Sequence, residues 1–528
     1  MNFICGQLEL VDSWGFRRTG QARNTQNVDF VLDDFKEKWD DCFTKTGGGM
    51  FYGREDDLAG LLDLWKKRTA SLVTCRGRRR IGKSTLIEEF AARSGARFVE
   101  IVGEAPRKGM TNADQLKAFS RQLKAQTGRR GRTSAQDWFE AFQKLDEALD
   151  DRKTIVLLDE ISWMGGFDPG FPGELKTAWD VRFKKHPSLV MVLCGSVSTW
   201  IEENILNNTG FVGRASQNIT LGELPLDCCA RFWGNAAGRL APSEIIDVLS
   251  VTGGIPRYLE EVDPSLSADE NIRRLCFLPK AILRDDFSKI FNSVFGENAL
   301  SKKRILDALA AAPLSVSEIA SALGVERGGV ISDHLSELET AGFVSGDAGL
   351  NPATGAAAKC IRYRISDNYT RFYLRYIRPN ERVIDRGAFK FAGVEALPGW
   401  DAILGLQFEN LIANNISSIL PRLGLDKVLL KSAAPWRQLP TPRRKGCQID
   451  LLLQSERGVC IVEMKRRREI GREVADEVAA KVRALALPRD ISVRTALIYD
   501  GRLSPRVEAE GFFDSLIPVS DLLGLKPA

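Results

Sequence analysis

Apolar strands alternate with amphipathic helices, a glycine-rich loop joins one strand to its helix, and a second alternating stretch lies near the C-terminus. Together these predict a multidomain α/β chain. At 528 residues, a soft prior of about 150 residues per domain gives three or four units. The chain is 44% hydrophobic and 27% charged, a folded rather than disordered composition. A net charge of +5 permits a nucleic-acid partner without arguing for one, because local clusters matter more than totals. The ten cysteines form no C-x-x-C pair, and His186 and His334 are the only histidines. Zinc-site spacing is therefore absent, and buried thiols in a reducing compartment are expected. No apolar run reaches the roughly 18–20 residues that span a bilayer, and no basic-then-apolar leader opens the sequence. The expectation is a cytoplasmic protein with no membrane partner.

Residues 1–49 carry no strong period and end in Thr46-Gly47-Gly48-Gly49. They read as an N-terminal extension, with Met50 a second candidate start. Over 50–225 the strand candidates are Leu72–Arg76, Phe98–Val102, Thr154–Asp159 and Leu189–Gly195, short apolar runs suited to a buried parallel sheet. A helix is expected over Ser134–Leu149 with Ser134 as N-cap. Residues 226–295 read as wholly helical, broken at Gly253-Gly254-Ile255-Pro256. Residues 296–366 suggest three helices and a hairpin, and 367–400 an aromatic, arginine-rich connector. Residues 401–528 form the second α/β unit.

Gly77-Arg78-Arg79-Arg80-Ile81-Gly82-Lys83-Ser84 satisfies G-x-x-x-x-G-K-[ST], follows a strand and opens a helix, with Thr85 next in line. Glycines let backbone N–H groups wrap phosphates, the helix N-terminus favours negative charge, and Lys83 reaches the β and γ phosphates. Ser84 would supply a hydroxyl to Mg²⁺. About 75 residues on, the apolar strand Thr154–Leu158 ends in Asp159 and Glu160. Asp159 is placed to hold Mg²⁺ through water, and Glu160 to orient or deprotonate the attacking water. The pattern reads as an ATP·Mg²⁺ site. Ser196, at the end of the next strand, has two readings, a γ-phosphate sensor or a helix cap.

Phe-Tyr-Gly-Arg-Glu at 51–55, the loop at 77–84, Leu-Leu-Asp-Glu at 157–160 and Cys-Gly-Ser at 194–196 come in this order. Gly213-Arg214 and Gly253-Gly254-Ile255-Pro256-Arg257-Tyr258-Leu259 follow. The series resembles the archaeal-type ATPases, a branch of the AAA+/STAND-like P-loop group. The resemblance implies a P-loop NTPase fold, a parallel sheet with helices on both faces, followed by a helical lid. It also implies that Arg54 lies near the adenine end, that Arg214 is an arginine finger acting from a neighbouring subunit of a homo-oligomer, and that Arg257 is a second sensor. A surface arginine is the competing reading for Arg214 and Arg257.

The stretch 301–366 resembles a winged helix-turn-helix. Ile331, Leu335 and Leu338 share one helical face and should meet a core. The recognition helix and its approach carry Glu326, Arg327, Asp333, His334, Glu337 and Glu339. Base reading favours basic and amide side chains, so a packing or partner-binding role stands beside direct DNA contact.

Farther on, 448–453 and 459–465 read as two strands joined by a tight turn at Ser455–Gly458. With the turn centred between Glu456 and Arg457, Asp450 faces Glu463, and Lys465 points to the same side as Glu463. Opposed carboxylates weaken a sheet unless a divalent cation lies between them. The Asp…Glu-x-Lys arrangement resembles the PD-(D/E)xK nucleases, and more closely the nuclease-like module fused to archaeal-type ATPases. Gln448-Ile449-Asp450 stands where the family has a literal Pro-Asp. The resemblance implies Asp450 and Glu463 as metal ligands, Lys465 as the catalytic lysine, Glu409 as an accessory acid, and DNA as substrate. Arg443-Arg444-Lys445 and Lys465–Arg468 would bind phosphates or form a solvated basic face. Two further functional readings remain: an ATP-gated switch with a non-catalytic C-terminal binding module, and a plain DNA-binding regulator.

Overall fold

Five short apolar strands set the N-terminal architecture: β1 (Ser71–Gly77), β2 (Arg97–Val102), β3 (Thr154–Asp159), β4 (Leu189–Ser196) and β5 (Ala215–Leu221). In the computed structural model, which describes residues 51–525 apart from 129–133, 197–198, 327, 358–360, 441 and 443–444, they form one parallel sheet. Its order is β2-β3-β4-β1-β5. Alternate residues serve two cores. Val73, Cys75, Ile155, Leu157, Val190 and Val192 enter one, while Leu72, Val156, Leu158, Met191 and Leu193 enter the other. Burial on both faces is why these strands read as unbroken apolar runs. The expected extension at 1–49 and the pair Arg443-Arg444 lie outside the described residues.

Helix α1 (Lys83–Ser94) follows β1 directly. The helix expected from Ser134 instead spans Trp138–Ala148 and is capped by Asp137, which accepts from the Glu140 N–H at 2.8 Å. The carboxylate one residue before the buried Trp138 is a charged acceptor at the positive helix end, and it takes over the role assigned to Ser134.

Beyond β5 the chain is helical through α2 (Ile282–Phe295). A helix over Ala299–Leu309, then α3 (Val316–Leu323) and α4 (Gly329–Thr340), pack with a three-stranded antiparallel sheet. That sheet comprises β6 (Leu314–Ser315), β7 (Val344–Asp347) and β8 (Arg362–Ile365), in the order β6-β8-β7. Ile331, Leu335 and Leu338 of α4 are buried, whereas Ser332, Asp333, Ser336 and Glu339 face solvent. Lys302, fully buried, pairs with Glu337 at 3.0 Å and ties α4 to the first helix.

The short α5 (Asn368–Phe372) and the long α6 (Trp400–Asn414) lead into a mixed sheet. It contains β9 (Ser432–Gln438), β10 (Cys447–Gln454), β11 (Gly458–Ile470), β12 (Ser492–Leu503) and β13 (Ser515–Pro518), ordered β13-β12-β11-β10-β9. Helix α7 (Glu473–Leu485) covers one face through Val474 and Val478. A single apolar cluster runs from Leu58 through the helices that follow β5 and through α6 to Leu523. Cys75, Cys194, Cys228, Cys229, Cys276 and Cys460 are buried free thiols. Among the described residues no helix is long and apolar enough to cross a membrane.

Candidate functional site

The loop between β1 and α1 is built around two glycines. Gly82 caps α1 at φ 89°, and a Cβ on Gly77 would lie 2.5 Å from the Leu221 carbonyl oxygen, so only glycine fits there. Lys83, buried, donates through Nζ to the carbonyls of Gly77 (3.0 Å) and Arg78 (3.2 Å), curling over the hollow where phosphates would lie. Ser84 Oγ donates to Asp159 Oδ2 at 2.6 Å, and the Glu160 N–H donates to Asp159 Oδ1 at 2.8 Å. A hydroxyl beside a carboxylate at a helix N-terminus is the hard-oxygen donor set that Mg²⁺ takes, so these residues fit the cation. Thr85 is exposed beside them. Glu160 is held at φ 48°, an uncommon conformation for a non-glycine residue. Ser196 fixes its carboxylate, donating through Oγ (2.6 Å) and N–H (3.2 Å). Both contacts orient the Glu160 side chain.

The C-terminal carboxylates meet as the hairpin register requires. Leu451↔Val462 through Gln454↔Val459 pair across β10 and β11, which sets Asp450 opposite Glu463. There Asp450 Oδ2 accepts from the Met464 N–H at 3.0 Å, next to a register shift between Ile449 and Leu452 on the β9 side. Glu463 is fully buried and gripped by two lysines, Lys465 Nζ at 2.8 Å and Lys481 Nζ at 2.5 Å. Lys465 also reaches Glu477 at 3.1 Å. Burial, then the nearby Glu463, raises the Asp450 carboxyl to about 6. Burial, then Asp450 and Glu463, raises Glu409 to about 7. Burial pulls Lys465 down, but Glu463 and Glu477 outweigh it and the net shift is upward. Carboxylates crowded in this way repel one another, and a hard divalent cation between them would relieve that repulsion. As the side chains stand, no three His, Cys, Asp or Glu residues among those described converge in cation-holding geometry. Lys465 and Lys481 take up both Glu463 oxygens instead.

Residues 51–262 match the model of an ATPase domain predominantly from archaea. This segment is an archaeal-type P-loop ATPase domain. Residues 301–345 match a second model, the arsR family of bacterial regulatory proteins, and carry a helix-turn-helix. An uncharacterised protein of Methanocaldococcus jannaschii is 24% identical over 421 residues, spanning 79% of this chain and 87% of that protein. Among solved structures, a Walker-type ATPase of Pyrococcus abyssi has 16% identity and a TM-score of 0.46, covering 62% of this chain and 96% of its own. The ORC1 protein of Aeropyrum pernix, solved in complex with DNA, has 17% identity and a TM-score of 0.30, covering 65% and 93%.

Within the ATPase domain, each arginine expected at the nucleotide has protein partners. Arg54 is buried and donates to the carbonyls of Ile81 (3.3 Å) and Gly222 (2.5 Å), so it braces the loop backbone. Arg257 pairs with Glu260 (3.0 Å) and Glu261 (2.6 Å), although its neighbour Pro256 abuts Gly82. Arg214 forms a two-pronged pair with Asp180, both contacts 2.8 Å. It precedes β5 where Ala215 lies beside Leu72, while the loop begins beside Leu221 at the other end. Six residues of strand, roughly 20 Å, separate them, so Arg214 does not serve its own loop.

Arg78, Arg79 and Arg80 contribute only backbone to the loop hollow, and their side chains clamp what surrounds the ATPase domain. Arg78 is buried against Asp367 and the Phe343 ring. Burial lowers its pKa, but Asp367, with Tyr258 and Glu223, outweighs this and the net shift is upward. Arg79 donates to Ser293 Oγ at 2.9 Å and lies over Trp163. Arg80, at φ 73°, pairs with Asp286 at 2.6 Å. Reading the motif as a ligand set missed this, as it missed Lys481, Glu477 and Asp367. One signal was present: Glu477 and Lys481 are four apart on an amphipathic helix and share a face.

Proposed function

We propose that this protein binds and hydrolyses ATP and that its nucleotide cycle controls a C-terminal, metal-dependent nuclease-like module acting on DNA. The observation that carries this reading is the buried Arg78–Asp367 pair, which joins the phosphate loop to the carboxylate cluster through polar contacts. Asp367 caps α5, accepting from the Thr370 N–H at 2.9 Å. From α5, Asn368 meets Asn410 (2.6 Å) and Arg371 meets Gln407 (2.7 Å). Gln407 and Asn410 flank Glu409 on α6. A shift of the loop around phosphates therefore has a rigid route to the helix that carries an acid of the second site.

In the first site, backbone N–H groups and Lys83 bind the phosphates, Ser84 and Asp159 would hold Mg²⁺, and Glu160, oriented by Ser196, aligns the attacking water and takes its proton. A bound cation there neutralises charge developing on the phosphates. In the second site Asp450, Glu463 and Glu409 would hold a cation, and Lys465 positions a water against the phosphodiester. DNA contact falls to the exposed Arg467 and Arg468 beside that site, because the solvent face of α4 offers Asp333 and Glu339. An oligomer that uses Arg214 as a finger requires release of its Asp180 pair.

A second reading is favoured by one observation. Lys465 and Lys481 already neutralise Glu463, as they would in a module that binds without cutting and is gated by ATP. The test is the double variant Arg78→Gln/Asp367→Asn, assayed separately for ATP hydrolysis and for DNA cleavage. The expected result is retained hydrolysis with cleavage that no longer responds to ATP. An unchanged response to ATP would remove the coupling.

A further inference from the structure

A cavity of about 540 Å³ lies where the hairpin of the helix-turn-helix region meets the C-terminal sheet. Its size is that of a small-ligand site. One wall comes from the β7–β8 connection, which is docked on the sheet: Gln454 Nε2 donates to the Leu350 carbonyl at 3.0 Å. Gly349 comes so close to Trp436 that an added Cβ would sit 3.0 Å from the ring. The other walls bring Arg371, Trp436, Arg437, Glu409 and Asp450 to one space.

The charge of this space is unusual. Arg371 is 3% exposed, and its guanidinium bonds only neutral groups, Gln407 Oε1 (2.7 Å) and the Ile365 carbonyl (2.7 Å). A buried cation with no carboxylate bonded to it makes the wall attractive to an anion. Burial draws its pKa down to about 9, which still leaves it charged at neutral pH. Arg437 is exposed and lies across from Gln448 in the β9–β10 pairing. Three carboxyls line the cavity: Asp347 is already paired with Arg364 at 3.1 Å, while among the described residues Glu409 and Asp450 have no such partner arginine. With the cationic groups and the indole, the latter two match the three parts of a nucleotide: phosphate, base, and the ester bond at the acids. Trp436 can stack only on a base whose face is open, which a base inside a duplex does not offer.

We propose that this cavity is a subsite for one unpaired nucleotide at the end of a DNA strand, with the base on Trp436 and the phosphate between Arg437, Arg371 and the Asp450–Glu409 acids. The assignment deepens the nuclease-like reading and rests on it for the role of the acids, but not for binding. The experiment uses the full chain in EDTA, where no metal-dependent cutting occurs, and follows fluorescence anisotropy of labelled oligonucleotides. A duplex with a short single-stranded tail should bind at least tenfold more tightly than the same duplex with blunt ends. A deoxynucleoside monophosphate in excess should compete with the tail. Trp436→Ala should erase the preference for the tail, Trp436→Phe should restore most of it, and Arg437→Glu, on an exposed position that folding does not need, should weaken tail binding at least fivefold. Equal binding of blunt and tailed duplexes, or a tail preference untouched by Arg437→Glu and by a folded Trp436→Ala, would overturn the subsite. Cleavage assays with Mg²⁺ report separately: binding as described without cleavage removes the nuclease reading and leaves the subsite.

Discussion

On the proposed reading hydrolysis turns on Glu160, whose carboxylate and backbone are both held in place. Ser196 holds its carboxylate from one side, and the strand tip fixes its backbone. Glu160→Gln keeps the shape and removes the base. Steady-state hydrolysis should fall about 10²–10⁴-fold, with ATP affinity in a direct binding assay changed only a few-fold. A second residue gives a pH signature. Glu223 accepts from the Gly254 N–H at 3.0 Å, and burial, then the like charge of Asp367, lifts its carboxyl to about 7 against Arg78 and Arg364, which pull it down. The folded state thus keeps a proton that the unfolded state gives up above the ordinary glutamate range. Stability should fall as pH rises from about 4.5 toward 7. Glu223→Gln should flatten that slope in thermal unfolding series, and an identical slope in the variant would contradict the assignment.

At the scale of elements, what was legible in the sequence was local. The strand, loop and helix around Gly77–Ser84, the Asp159–Glu160 strand tip and the β10–β11 register all follow from spacing within one or two neighbouring elements. The turn centred between Glu456 and Arg457 was enough to place Asp450 across from Glu463. Contacts between elements distant in sequence were not legible. The pairing of Arg78 with Asp367 spans nearly three hundred residues, and no period or motif encodes it. Lys481 reaches Glu463 only because α7 folds back across β11. The helix-turn-helix was readable as a fold, yet the docking of its hairpin on the C-terminal sheet brings Gly349, one glycine among many in the sequence, close against Trp436. The Arg78–Asp367 link gives a direct energetic prediction. Asp367→Asn keeps the α5 cap but leaves a buried guanidinium unpaired, and should cost about 3–5 kcal/mol. Adding Arg78→Gln should recover part of that loss in denaturant unfolding, as coupled neighbours do. Strict additivity of the two changes would show that the pair is not coupled.

For the whole molecule, one apolar cluster spans the ATPase domain, the helices that follow β5, the helix-turn-helix region and α6. The phosphate loop is thus packed against the other modules instead of joined to them by a flexible tether. Three consecutive loop arginines contact Asp367, Ser293 and Asp286, which on the proposed reading would carry a change in the loop to α2 and to the start of α5. This arrangement suits a protein in which ATP sets the state of a distant site. The direct measurement is cleavage of labelled single- and double-stranded DNA in Mg²⁺ or Mn²⁺, with and without ATP, comparing the native chain with Glu463→Ala and Glu160→Gln. The account predicts cleavage that is lost in Glu463→Ala and altered both by ATP and by Glu160→Gln. Intact ATP hydrolysis without cleavage under any of these conditions would contradict it and leave an ATP-gated binding switch.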